Sequence, residues 1–337
     1  LGAGVRRGGA DAVLPALTEE DTVSATLAVR DKLQDKTQVS LQFALLYTSP
    51  AGQRRVRVLT AAYPVTAGKS SVYRGADMDA VLNHLARRLA AQLPGRAVGA
   101  CRETAFQACV DTLVAYRQHA AKMSDPGQLL LPEAMQLLPL YALALGKTPL
   151  FRNDTPLDAR AAWMLRLLGA PARAVPPAVY PRLIPIHPGL LELRAAGRSD
   201  RAAVPDALAL TAAQIEAQGV YLLEDGLDAW VFLGRGVDQS VVESLIGNDR
   251  ASERLASPGG VELPVIPDSP LNAALHDLLH TLGAQRDELL RVRVVSRTEQ
   301  DETAFYSLLV EDKFSTAGMS YADFLRAVHR HIVSKLS

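Results

Sequence analysis

The chain has 337 residues, and its 36 Lys+Arg balance 36 Asp+Glu, so no global charge draws it to nucleic acid or to an anionic membrane. Hydrophobic residues make up 48%, enough to build real cores, yet no apolar run approaches the roughly 20 residues that a membrane helix needs. The only cysteines, Cys101 and Cys109, fall on one predicted helix with Cα atoms roughly 12 Å apart, too far for a disulfide, which fits a reduced cytosolic compartment.

Residues 1–21 open small and Gly-rich, lack the apolar centre of a signal peptide, and are expected as a disordered linker or inserted loop. A first residue Leu1 in place of Met is expected to mark a fragment. Residues 22–68 read as strands. Val39, Leu41, Phe43, Leu45 and Tyr47 share one face with period two, opposite Ser40, Gln42, Ala44 and Thr48. Ser49-Pro50-Ala51-Gly52 carries Pro and Gly where a type I turn prefers them, and Val56 and Val58 then alternate with Arg55 and Arg57. One hairpin is not stable alone in water, so the rest of a β-sandwich is expected upstream and a sheet edge is expected to be exposed.

Residues 69–175 read as all helical. Asp77 can cap a helix with the stripe Val81, Leu82, Leu85, Leu89 and Leu93. A longer helix, Ala97–Met123, is expected to close at Ser124-Asp125-Pro126-Gly127. Pro132 suits the first turn of a third helix, which Pro139 should kink or stop. Thr155-Pro156-Leu157-Asp158 is near a capping box for a fourth, with Gly169 as its stop.

Residues 176–298 mix strands and helices. Val220–Leu223 and Ala229–Leu233 flank Asp225-Gly226, a strong hairpin signal. Trp230 and Phe232 fall on one face, Val231 and Leu233 on the other, so this strand should be central and covered on both sides. Val237, Val241, Leu245 and Ile246 form one helical stripe; Leu271, Leu275, Leu278, Leu279 and Leu282 form another, begun by Ser269-Pro270. Leu290–Val295 is a strand. Residues 299–337 read as two final helices, Glu299–Leu309 and Tyr321–Leu336, the second begun by Ser320 with Asp323. The whole is a multidomain α+β chain: a β-sandwich tail, an all-α domain, an α/β domain and C-terminal helices.

The chemical motifs are incomplete. Thr66-Ala67-Gly68-Lys69-Ser70 ends like a phosphate loop, but Tyr63 stands where its first Gly belongs. Gly234-Arg235-Gly236 follows a strand, but Gln239 replaces the third Gly of a dinucleotide site. His276 and His280 have the i, i+4 spacing of a zinc pair without a third ligand, while His329 and His331 point to different sides of their helix. Cys101 and Cys109 read as small core residues. No nucleophile, base and orienter assemble, so neither enzyme activity nor a bound metal or cofactor is expected. Arg54-Arg55-Arg57 and Arg286–Arg293 are solvated faces, with contact to acidic headgroups or an acidic partner as the minor reading.

Six stretches together carry a resemblance. ALLYTSPAGQRRVRV (Ala44–Val58), YRGADMDAVLNHLARRLA (Tyr73–Ala90), QLLLPEAMQLLPLY (Gln128–Tyr141), VYPRLIPIHP (Val179–Pro188), VYLLEDGLDAWVFLGRGV (Val220–Val237), and LLVEDK (Leu308–Lys313) followed by SYADFLRAVHRHI (Ser320–Ile332) resemble, in order, the cargo-adaptor subunit of the inner COPII coat. The resemblance runs over about Val39 to Ser337. It implies a sandwich tail, a helical domain and a gelsolin-like domain over 176–298. It implies a non-enzymatic subunit that packages cargo for endoplasmic reticulum to Golgi transport, cytoplasmic and peripheral at exit sites of that membrane. The implied partners are the second inner-coat subunit in a heterodimer, cargo membrane-protein tails and, indirectly, the coat's small GTPase. The family's zinc ribbon would lie upstream, since two cysteines cannot supply it. A family peptide-binding region places a candidate groove at Ala304, Phe305, Tyr306, Glu311, Asp312 and Lys313, beside helix Tyr321–Leu336. In the plainer reading Phe305 and Phe324 pack two helices together. Two other functions share the features: the sister GTPase-activating coat subunit, with the same domain order, and a gelsolin-type actin- or calcium-binding protein.

Overall fold

A computed structural model of the chain describes residues 5–7, 11–18, 22–121, 128–187, 189–190, 204–247, 255–256, 259–285, 289–313 and 318–336. The expected close of a helix at 124–127, Pro188 and Arg286 lie outside the described residues.

Strands β1 (Val5–Arg7) and β2 (Asp11–Val13) pair antiparallel within the segment expected as a disordered linker or inserted loop. Three residues per strand are too few for alternation to register. Residues 22–37, read as strand-like, hold no strand: Val23, Ala25, Leu27 and Val29 alternate, but among the described residues no strand pairs with them, and Val23, Leu27 and Val29 stay exposed. The long hairpin is as expected. β3 (Gln38–Thr48) and β4 (Arg54–Pro64) pair over eleven positions, from Gln38–Pro64 to Thr48–Arg54. Gly52 takes φ 77° at the turn, and its N–H donates to the Ser49 carbonyl at 2.9 Å. Directly paired residues share a face, so Phe43 sits with Leu59, and Leu46 with Val56. Neither side is covered: Phe43 is 53% exposed, Leu59 60% and Val56 61%.

Short helix α1 (Lys69–Arg74) leads to α2 (Met78–Gln92), α3 (Val98–His119), α4 (Leu138–Lys147), α5 (Leu157–Gly169) and α6 (Val175–Val179). Asp77 caps α2 as expected, accepting from Ala80 N–H at 3.1 Å. Pro139 does not break a helix. It sits in the first turn of α4, where the missing N–H has no intrahelical acceptor to lose, and Pro132 precedes only a 3₁₀ turn, Glu133–Met135. The near-capping box at Thr155 does not form either. Pro156 holds the cap position of α5 with no side-chain bond, and Asp158 lies in the first turn where the helix dipole favours it.

A four-stranded sheet follows, in order β5 (Arg182–His187), β6 (Val220–Glu224), β7 (Asp228–Leu233) and β8 (Arg291–Val294). The first two pairings are antiparallel and the last parallel, which requires a long crossover. That crossover carries α7 (Gln239–Ile246) and α8 (Pro270–Ala284), the latter capped by Ser269. Period two then sorts the strands into two cores. Ile184, Ile186, Val220, Leu222, Val231 and Leu233 face α7 and α8. Leu183, Tyr221, Leu223, Phe232 and the half-buried Trp230 share a core with Leu82, Leu89, Cys101, Leu145, Phe151 and Val179 of the helical region. β7 is therefore a central strand covered on both faces, as its apolar run requires. The helical region and the sheet share one core, and a pair at 3.1 Å between the half-buried Arg166 and the buried Asp225 ties α5 to the β6–β7 turn.

Helix α9 (Glu299–Tyr306) packs on this shared core, and α10 (Tyr321–Leu336) returns to the helical region, where Phe324, Val328 and Ile332 join Cys109, Leu113, Leu138 and Leu143.

Candidate functional site

The stretch from α9 to α10 is held from both ends. Thr298 caps α9, and Asp301 accepts from the Ser296 and Thr298 hydroxyls and from Gly259 N–H, which holds its carboxyl below the usual range. One turn on, Phe305 is 1% exposed and stacks on Phe232 with centroids 4.4 Å apart; Tyr306 meets the same ring edge-on at 5.6 Å. Phe305 therefore gives the sheet its lid and offers no aromatic surface outside. Its expected partner Phe324 belongs to a different cluster, packed edge-on against Phe106 of α3 at 5.5 Å. The two aromatics do not pack two helices together, because α9 and α10 turn their apolar faces to different cores. Ala304 is exposed on the outer side of α9.

The acidic pair that follows is bonded inward. Glu311 accepts from the Tyr180 hydroxyl at 2.6 Å and from Leu210 N–H at 3.0 Å. Burial, then this bond to an anion, pushes the Tyr180 phenol well above its ordinary pKa. Asp312 accepts from the Thr211 hydroxyl at 2.7 Å and from Ala212 N–H at 2.6 Å. From α4, Lys147 Nζ donates to the Val310 and Asp312 carbonyls at 2.6 and 2.8 Å. Burial lowers its pKa from 10.5 to about 8, partly offset by the charges of Asp312 and Glu311. Of the expected groove residues the structure thus brings Glu311 and Asp312 together as a knot between α4, the loop 208–212 and Tyr180, while Lys313 alone lines an open surface cleft, with Met319, Asp323, Arg326 and Arg330. Sequence reading missed Lys147 and Tyr180. Their only signal was a lysine closing an otherwise apolar helix and a tyrosine just before a strand.

The remaining motifs are structural. Gly68 opens α1, and its N–H donates to the Thr66 hydroxyl. A Cβ on Gly234 would lie 2.2 Å from the Ala217 carbonyl oxygen, so glycine is required by chain passing chain. His276 Nε2 lies 3.1 Å from the Pro264 carbonyl, and His280 is exposed. Among the described residues no three His, Cys, Asp or Glu side chains are grouped to hold a metal, and no helix is long and apolar enough to cross a membrane. Cys101 and Cys109 are buried, and burial pushes the Cys109 thiol up to about 12, so it holds no thiolate at neutral pH. Arg291 and Arg293 both pair with Asp228, at 2.8 and 3.4 Å. Arg54 and Arg55 bond only locally, to Thr48 and Gln53.

A second cleft, which no motif marked, lies where α10 crosses α3 and α4. It is lined by Phe106, Leu143, Met319 and Phe324, with Arg102 and Arg330 at its sides.

Against known families, residues 1–66 match the Sec23/Sec24 beta-sandwich domain and residues 77–175 the Sec23/Sec24 helical domain. The chain is 34% identical to the Arabidopsis thaliana protein transport protein SEC24 B over 97% of its own length and 29% of that protein's. It is 32% identical to human protein transport protein Sec24C, again over 97% of its own length and 29% of the relative's. Among solved structures it superposes on the human COPII-coat protein Sec24c with a TM-score of 0.80 at 30% identity, covering 91% of this chain and 40% of that one. The chain thus spans under a third of the length of the curated relatives it matches.

Proposed function

The chain belongs to the Sec23/Sec24 family, on the Sec24 side of it, and from that premise we propose that it forms part of a COPII coat subunit that selects cargo for vesicles leaving the endoplasmic reticulum. The observation that carries this reading is continuity. Similarity to Sec24 proteins extends over 97% of the chain, through the hairpin, the helices, the sheet and α10 alike. The sister-subunit and gelsolin readings lack that support, since the relatives over this length bear the Sec24 name.

In this reading the chain works by recognition and not by catalysis. Its inward-bonded polar groups (Lys147, Tyr180, Glu311, Asp312, Arg166 and Asp225) hold chain to chain and, among the described residues, set no nucleophile beside a free base. It needs no cofactor or metal of its own. Its partners are the second inner-coat subunit, cargo tails and, indirectly, the coat GTPase, and its place is the cytoplasmic face of the exit-site membrane. The stretch from Ala304 to Lys313 contributes to cargo binding through the exposed Ala304 and Lys313 and the half-buried Tyr306, while Phe305, Glu311 and Asp312, bonded or stacked inward, fix their positions.

The test is replacement. The matching stretch of human Sec24C is exchanged for this chain, and the chimera is expressed in cells depleted of their own Sec24 proteins. Restored movement of a membrane cargo to the Golgi is the expected result. A folded chimera that leaves the cargo in the endoplasmic reticulum would overturn the reading.

A further inference from the structure

The cleft between α3, α4 and α10 has a volume of about 520 Å³, within the roughly 300–1,000 Å³ of ordinary ligand sites. Its floor is apolar and firmly set. Phe106 meets Phe324 edge-on at 5.5 Å and the His331 ring at 4.9 Å, and Leu143 and Phe324 are themselves buried in the helical core. Small residues keep it open: Gly99 on α3, and Ala142 and Gly146 one turn apart on α4.

Its charge is one-sided. Arg102 stands on α3 and Arg330 on α10, and among the described residues neither has a carboxylate within ion-pair distance. Arg102 spends one N–H on the Phe151 carbonyl at 3.2 Å, and Lys147 adds a further positive charge at the α4 end. The cleft's one carboxylate, Glu103, accepts from Gln107 at 2.7 Å. An apolar floor with guanidinium groups on facing walls calls for a ligand that is apolar on one side and anionic on the next. A planar guanidinium fork recognises a carboxylate in two parallel bonds, which a lysine cannot do.

We propose that this cleft binds a short extended peptide segment in which an apolar side chain adjoins a carboxylate, the side chain resting on Phe106, Leu143 and Met319 and the carboxylate held by Arg102 and Arg330. The site is separate from the Ala304–Lys313 stretch, of which it includes no residue. Its biological sense rests on the recognition role proposed above, but its test does not.

The probe is a fluorescein-labelled peptide Gly-Ser-Met-Glu-Gly-Ser, titrated with the intact chain and read by anisotropy, beside counterparts with Gln for Glu and Ser for Met. Each counterpart should bind about tenfold more weakly. Arg330→Ala, an exposed change that leaves the helical core untouched, should weaken the Met–Glu peptide about tenfold and leave the Met–Gln peptide as it was. Arg330→Lys should recover only part of the loss. Three peptides binding alike, no binding at millimolar chain, or an Arg330→Ala loss equal for Met–Glu and Met–Gln would each overturn the proposal. If the peptide does not bind while the Sec24C chimera still moves cargo, the cleft is rejected and the coat reading stands.

Discussion

Two residues decide most of what the shared core does. Phe232 lies in the central strand and stacks on Phe305, so its removal takes away both burial and an aromatic pair. Phe232→Ala should cost about 3–5 kcal/mol, and a double-mutant cycle with Phe305→Ala should show a coupling of about 0.5–1.5 kcal/mol. A denaturant melt of the four proteins measures both; a loss under about 1 kcal/mol would place the ring at an edge. Lys147 works in the opposite sense. Its folded pKa of about 8 lies below the ordinary 10.5, so between those values the unfolded chain binds the additional proton. Stability from this group therefore rises with pH across that window and is lowest below it, where the ammonium is charged in both states. Melting temperatures from pH 7.5 to 10 should climb relative to those of Lys147→Met, in which the slope is gone; a relative fall would refute the assignment. The place of Phe232 on a central strand was legible in the sequence, but its stacking on Phe305 and the inward bonding of Lys147 were not. Glu311 and Asp312 stand in a recognisable motif, but the groups that occupy them lie far away along the chain, in Tyr180 and the loop 208–212.

At the scale of elements, local signals were legible where a single segment carries the whole reason. Asp77, Ser269 and Ser320 cap as their spacing implies, Gly226 takes φ 88° in the expected hairpin, and the two apolar faces read in β7 go to two cores, Phe232 to one and Val231 and Leu233 to the other. The failures have a common cause. Pro139 reads as a breaker or a starter according to where the helix begins, and nothing in QLLPLY sets that beginning; packing of Leu138, Leu140 and Leu143 does. β1 and β2, three residues each, are too short for a period of two to register. The glycines at the end of β7 were legible as a hairpin exit, but the reason lies in the neighbouring loop. Gly234→Ala would set a Cβ against the Ala217 carbonyl and should cost more than about 2 kcal/mol, whereas Gly169→Ala at the end of α5 meets nothing within 4 Å and should be near neutral. Thermal unfolding of the pair checks this, and equal melting points would show that the loop yields freely.

For the molecule as a whole, the helical region and the sheet share one core. Helices α2 to α6, the sheet and α9 bury one common core, so they should unfold in a single transition, with amide protons of α2, α4, β6 and β7 exchanging together. The β3–β4 hairpin shares no part of that core and exposes apolar side chains on both faces. It should therefore exchange first. Two separate transitions within the helices and the sheet would contradict the fused core. The claim that joins fold to function is that this chain can stand in for the matching part of a Sec24 subunit. Its most direct measurement is recruitment of the Sec24C chimera, purified with the second inner-coat subunit, to liposomes carrying the active coat GTPase, read by flotation. Recruitment equal to that of intact Sec24C, and lost without the GTPase, is the predicted result; a well-folded chimera that stays off the liposomes or fails to hold its partner subunit would contradict it.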